Sequence, residues 1–202
     1  MLFMNRKFHW MVAGMLALSA PIAGASVLTY TASLSGAAEA PPNGSAGTGS
    51  ATLLIDLVAN TMTLDVVFSG LTGNTSASHI HCCTALPGTS TAGVATQTPT
   101  FSGFPLGVTS GSYNQTFDLG LASTWNPAFV TANAASVAAA EAAFLTGLHD
   151  GKAYLNIHTN IVPSGEIRGF LREVPEPGVL SLLGLSLGGI AAVGARRRNQ
   201  PA

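Results

Sequence analysis

The chain has 202 residues, 47% of them hydrophobic and only 8% charged, with a formal net charge of -1. Between Ser26 and Val174 the charged residues are eight acids (Glu39, Asp56, Asp65, Asp118, Glu141, Asp150, Glu166, Glu173) against three bases (Lys152, Arg168, Arg172). So few cations exclude a nucleic-acid binder, which needs them clustered, and the length is that of one domain with its own core.

The N-terminus reads as a signal peptide over residues 1–25. Arg6 and Lys7 precede the mainly apolar run from Trp10 to Ile22, and Ala23-Gly24-Ala25 fits a small-x-small cleavage site, which makes Ser26 the mature start. Val27 to Leu34 alternates as a first strand, and Gly36 to Gly49, rich in Gly, Pro, Ser and Asn, is a loop. Ala51, Leu53, Ile55 and Leu57 alternate with more polar neighbours, as do Met62, Leu64, Val66 and Phe68 across the turn at Ala59-Asn60. This predicts an antiparallel pair with one apolar face each. A further strand holds His79, Ile80 and His81. It puts both imidazoles on one face, where they can share a metal ion or line a polar groove.

Cys82 and Cys83 are adjacent and are the only cysteines. A trans peptide sets their Cα atoms about 3.8 Å apart, below the about 4.4–6.8 Å usual for a disulfide. A vicinal bridge would therefore be strained. Free thiols, soft metal ligands and an intermolecular bridge are the other outcomes.

Pro87 to Ser112 is a long Gly-, Thr-, Ser- and Pro-rich segment in which Phe101, Phe104 and Leu106 are expected to reach the core. Val94 and Val108 mark short strands within it. Tyr113 to Leu119 is another strand. Asn133 to Leu148 is alanine-dense, with Val137, Phe144, Leu145 and Leu148 on one face of a helix. Asn133 or Ser136 is placed to cap it, and Gly151 lies just past its end.

Tyr154 to Arg172 predicts a β-hairpin. Leu155, Ile157, Ile167 and Leu171 form its apolar face, while Asn156, His158, Glu166 and Arg168 gather on the other. Pro163, Ser164 and Gly165 make the turn. Beyond it, Val174-Pro175-Glu176-Pro177 is an extended, helix-breaking spacer. The uncharged run 178–195 is long enough for a transmembrane helix, and Arg196, Arg197 and Arg198 would hold its end on the cytoplasmic side.

Several of these stretches together resemble the CHRD domain. They are Leu34-Ser35-Gly36 with Glu39-Ala40-Pro41-Pro42, then Gly70-Leu71-Thr72-Gly73 and His79-Ile80-His81. Tyr154-Leu155-Asn156-Ile157-His158-Thr159, Pro163 and Gly165-Glu166-Ile167-Arg168-Gly169 complete the set. The resemblance runs from Val27 to Leu171 and implies an all-β domain with a helix packed on it. The C-terminal segment 174–202 resembles the PEP-CTERM sorting signal, with Pro175-Glu176-Pro177 as its motif. That implies export and recognition by an exosortase, with the membrane helix as an intermediate stage. Transfer to the cell surface or extracellular matrix would follow. The His-x-His strand is locally similar to one in Cu/Zn superoxide dismutase. That family's bridging His and second-site ligands have no counterpart here, so its activity is not carried over.

The expected architecture is an antiparallel β-sandwich or Greek-key barrel over residues 26–173, with one packed helix. Strand after strand separated by turn residues leads there. Two functional readings follow. One is a non-enzymatic structural or binding module of the surface or matrix, whose polar face contacts polysaccharide or protein, with Tyr113 and Trp125 available for stacking. The other is a copper or zinc protein using His79, His81 and His158, with Cys82 or Glu166 as a fourth ligand. No nucleophile elbow, phosphate loop or metalloprotease helix is present, so an enzyme is not expected.

Overall fold

A computed structural model describes residues 27–175. The signal peptide, Glu176 and Pro177, the run 178–195 and Arg196 to Arg198 lie outside the described residues. Among the described residues, no helix is long and apolar enough to cross a membrane.

Eight strands form a single antiparallel sheet: β1 (Val27–Ser35), β2 (Thr48–Asp56), β3 (Thr61–Ser69), β4 (Thr75–His81), β5 (Gly111–Asp118), β6 (Tyr154–Thr159), β7 (Ile167–Phe170) and β8 (Arg172–Glu173). Their spatial order is β4-β6-β7-β1-β2-β3-β5, with β8 also on β1. The sheet curls into a half-barrel. The two-sheet sandwich and the closed barrel expected from sequence are thereby corrected. The alternation says which face of each strand is buried; it does not say what buries it. Here no second sheet covers the concave face. The irregular segment after β4 and the helices cover it instead.

β2 and β3 form the antiparallel pair that the alternation predicts, and β1 joins them as a meander, with Tyr30 opposite Leu53 and Leu53 opposite Leu64. Opposed residues of an antiparallel pair share a face, so this register lines up Ala32, Leu34, Ile55, Met62, Val66 and Phe68 inside the curl, all buried. Burying such side chains is the main stabilising term, roughly 1.5–3 kcal/mol for each large one. Phe101, Phe104, Trp125, Phe144 and Leu148 close the concave side.

Among the described residues two α-helices are present rather than the one expected. Asn126 caps α1 (Pro127–Ala132) by accepting from the Ala128 amide, with Pro127 at the first helical position, where its missing N–H costs nothing. Ser136 caps α2 (Val137–His149) through the Ala139 amide. Asn133 instead ends α1. Single 3₁₀ turns occupy Gly36–Ala38 and Ala122–Thr124.

Residues 82–110 contain no strand, although Val94 bridges to His81. The segment runs along the free edge of β4. The amides of Ala95 and Thr96 donate to the Ile80 carbonyl, and that of Phe101 donates to the Ser78 carbonyl. An exposed strand edge is thus covered without a further strand. Val108 is not in a strand either.

Candidate metal centre

The outer face of β4, β6 and β7 is where the polar residues collect, and it is buried rather than exposed. Ladder pairing sets His79 opposite Asn156 and Asn156 opposite Arg168 in one row, and His81 opposite Tyr154 and Phe170 in the next. His158, two residues beyond Asn156, is the diagonal neighbour of His79. His79, His81, Asn156 and Arg168 are all buried, and His158 is half-buried. The cover consists of residues 90–92 and 99 from the long segment and 38–40 from the first loop.

Three imidazoles meet there. One ring nitrogen from each of His79, His81 and His158 lies within 4.8 Å of the others. The opposite nitrogen of every ring faces a backbone carbonyl. His79 Nε2 is 2.6 Å from Pro99 O, His81 Nδ1 is 2.9 Å from Ala92 O, and His158 Nδ1 is 2.9 Å from Pro163 O. A carbonyl only accepts, so each of those nitrogens carries the hydrogen. The lone pairs are therefore left on His79 Nδ1, His81 Nε2 and His158 Nε2.

These are the atoms that face one another. His79 Nδ1 and His158 Nε2 are 3.4 Å apart, and His81 Nε2 is buried with no hydrogen-bond partner. Two acceptors at that distance repel unless a cation stands between them. A proton could join His79 to His158 but would leave His81 Nε2 orphaned, at a cost of roughly 1–3 kcal/mol. Protonation is also opposed by the surroundings. Burial lowers the pKa of all three rings, that of His81 to about 4, against the smaller raising effect of the carbonyls. Three neutral imidazoles, each held by a carbonyl on its far nitrogen, are an arrangement that could hold a metal ion.

Neither expected fourth ligand is available. Cys82 points to the opposite face from His81 and is bonded to Cys83 in a vicinal disulfide. The peptide between them is cis, with Cα atoms 3.0 Å apart, whereas the sequence expectation used the trans spacing. Glu166 is fully buried at the mouth of the hairpin, where its carboxylate accepts from Ser45 Oγ (2.6 Å), the Thr72 amide (2.5 Å), the Gly73 amide (3.0 Å) and Thr159 Oγ1 (2.7 Å). All its strong acceptor directions are in use. Burial pushes its pKa up, but the four donors outweigh this and hold it below the ordinary value.

Arg168 does not pair with Glu166 either. Its guanidinium donates to Ala38 O (2.5 Å) and Ser90 O (2.9 Å), stands 3.8 Å from Glu39 Oε2, and covers the Tyr154 ring at 4.8 Å. Tyr154 in turn stacks on His81, with ring centroids 4.8 Å apart and planes 3° from parallel. Its hydroxyl accepts from the Ala92 amide, the same residue whose carbonyl orients His81. A column of Arg168, Tyr154 and His81 thus fixes one imidazole plane. Tyr113 and Trp125 are buried in the core. The sugar-stacking role expected for them is corrected accordingly.

Glu39 is the participant that sequence reasoning missed. It is buried beside Arg168, and burial raises its pKa to about 7 against the lowering effect of the guanidinium. Its Oε1 and Asn156 Oδ1 have no hydrogen-bond partner. The available signal was its standing as the only acid in a Gly- and Pro-rich loop.

No curated protein and no solved structure matches the chain. The family comparison does find a match. A model of the CHRD domain matches residues 30–171, which takes in every strand that builds the polar layer and both ends of the histidine cluster. With most of its length covered, this chain belongs to the CHRD domain family.

Proposed function

We propose that this CHRD-domain protein is a non-enzymatic metal-binding component of the cell surface or extracellular matrix, holding one copper or zinc ion at His79, His81 and His158. The convergence of three lone-pair nitrogens carries the reading. Among the described residues no protein donor stands between them, and each opposite N–H is fixed on a carbonyl. A hydrogen-bonded polar layer with no ligand would instead satisfy His81 Nε2, which among the ring nitrogens of the cluster is the one buried with no partner. Export and sorting rest on the signal-like residues 1–25 and on Pro175-Glu176-Pro177, the apolar run and Arg196 to Arg198. Exosortase and the export machinery are the partners in that scheme. Protein or polysaccharide neighbours in the matrix would meet the loops around the site.

Elemental mass spectrometry of the full-length protein after export tests the metal reading. About one equivalent of copper or zinc is expected, falling below about one tenth in His158→Ala with circular dichroism unchanged. Metal-free protein after incubation with either ion would overturn it. Replacing Pro175, Glu176 and Pro177 with Ala tests the sorting, with retention in the inner-membrane fraction as the expected result.

A further inference from the structure

The three-His site carries no negative charge. Its donors are neutral imidazoles, and among the described residues no fourth His, Cys, Asp or Glu joins the group. The nearby alternatives are otherwise engaged. Glu166 is saturated by four donors, Cys82 is in the disulfide, and the carbonyls of Ala92, Pro99 and Pro163 each take a ring N–H. The Tyr154 hydroxyl is bound to Ala92.

A buried cation stands one aromatic ring from the ligands. The Arg168 guanidinium is 4.8 Å from the centre of the Tyr154 ring, His81 stacks on the same ring at 4.8 Å, and the Arg168 side chain is 4% exposed. Glu39 is the one acid beside it, and burial disfavours its charged form, so the guanidinium charge is incompletely cancelled at neutral pH. The desolvation cost of a buried ion grows as the square of its charge, and its repulsion from Arg168 grows in proportion to it. A dication is penalised on both counts. Zn(II) and Cu(II) also take a fourth ligand or more, which here only water could supply among the described residues, whereas monovalent copper is satisfied by three donors. We infer that the site selects monovalent copper over divalent ions. This inference rests on the metal-site reading above.

The test uses the full-length protein with ascorbate, which keeps copper monovalent. Cu(I) is titrated against bicinchoninate, and Zn(II) and, without ascorbate, Cu(II) are titrated against chromophoric chelators. One Cu(I) per chain is expected, bound at least ~10³-fold more tightly than Zn(II). In Arg168→Met the Zn(II) affinity should rise ~10-fold while that for Cu(I) changes less. Because that variant leaves Glu39 buried without its partner, the double variant Glu39→Gln/Arg168→Met is measured beside it. The wild-type ratio decides the proposal even if neither variant folds. Zn(II) or Cu(II) binding as tightly as Cu(I) would overturn the selectivity and leave the metal site standing. Failure of all three ions to bind would overturn both.

Discussion

Glu166 keeps its charge in a fully buried position because four donors converge on its two oxygens. It ties the first loop, the Gly70–Gly73 turn and the hairpin together. Glu166→Gln replaces one acceptor oxygen with a donor amide facing other donors, so a loss of roughly 2–3 kcal/mol is expected in chemical denaturation. The folded pKa is depressed. Its stabilising contribution is therefore present above about pH 4.3, the unfolded value, and is lost as pH falls through the folded value. The histidines act in an earlier window. Their folded pKa values lie below the ordinary one, that of His81 at about 4. Between about pH 6.5 and 4 the unfolded chain binds protons that the metal-free folded chain refuses, so stability falls as pH drops through that range, by on the order of 3 kcal/mol for His81 alone. Thermal melts of metal-free protein should show this slope, and His81→Gln should flatten it. An unchanged slope in that variant would mean the ring is not buried neutral. At this scale the His-x-His alternation and His158 were legible, because a strand's period fixes which side chains share a face. The partners of Arg168 and Glu166 were not, because they come from loops whose path no periodicity encodes.

Gly147 lies where α2 crosses the end of β4. A Cβ added there would collide with the Sγ of both Cys82 and Cys83. Helix propensity alone favours alanine over glycine by about 1 kcal/mol. Neither sulfur can swing aside while the two are bonded, so overpacking of roughly 1–3 kcal/mol should win. Gly147→Ala is therefore expected to destabilise wild type. In a Cys82→Ala/Cys83→Ala background the same change should become neutral or stabilising, and a double-mutant cycle reads the reversal. Equal effects in both backgrounds would mean α2 does not rest on the disulfide. The cysteines also show where element-level reading fails. Their adjacency was plain, but residue types alone left the bridge, free thiols and metal ligation open. The three strands and the β2–β3 pair were legible from their alternation, but the pairing of β1 with β2 across the loop was not, since a period of two fixes the buried face and leaves the partner and the register open. The covering segment 82–110 was not, since its hydrogen bonds run to β4 without a repeating side-chain pattern.

The whole molecule divides into a meander, held by register and core, and a polar layer whose cover is an irregular segment pinned by histidines. In the metal-free protein that cover is held to β4 by backbone bonds, by the Thr96 and Thr100 hydroxyls that accept from the Ile80 and Ser78 amides and by the carbonyl contacts of His79 and His81, with Phe101 and Phe104 anchoring its far end in the core. Such a segment opens locally at less than the global free energy. A metal ion held at His79, His81 and His158, as proposed, would join β4 to β6 and fix the rings that hold Ala92 and Pro99. Binding therefore stabilises the closed state by about 2.7 kcal/mol at a ligand concentration of 100 Kd. Hydrogen exchange should register this unevenly. The amides of Ala95, Thr96 and Phe101, which donate to Ile80 and Ser78, should slow by up to ~100-fold on metal addition if they exchange through this opening. Amides in the centre of β2 are already limited by global unfolding and should follow only the shift in overall stability. His81→Ala should abolish the local effect while leaving the β2 amides protected. Protection that rises to the same extent at Leu53 and at Phe101 would show instead that the cover and the meander open as one unit, and that the histidines fasten the whole half-barrel rather than its lid segment.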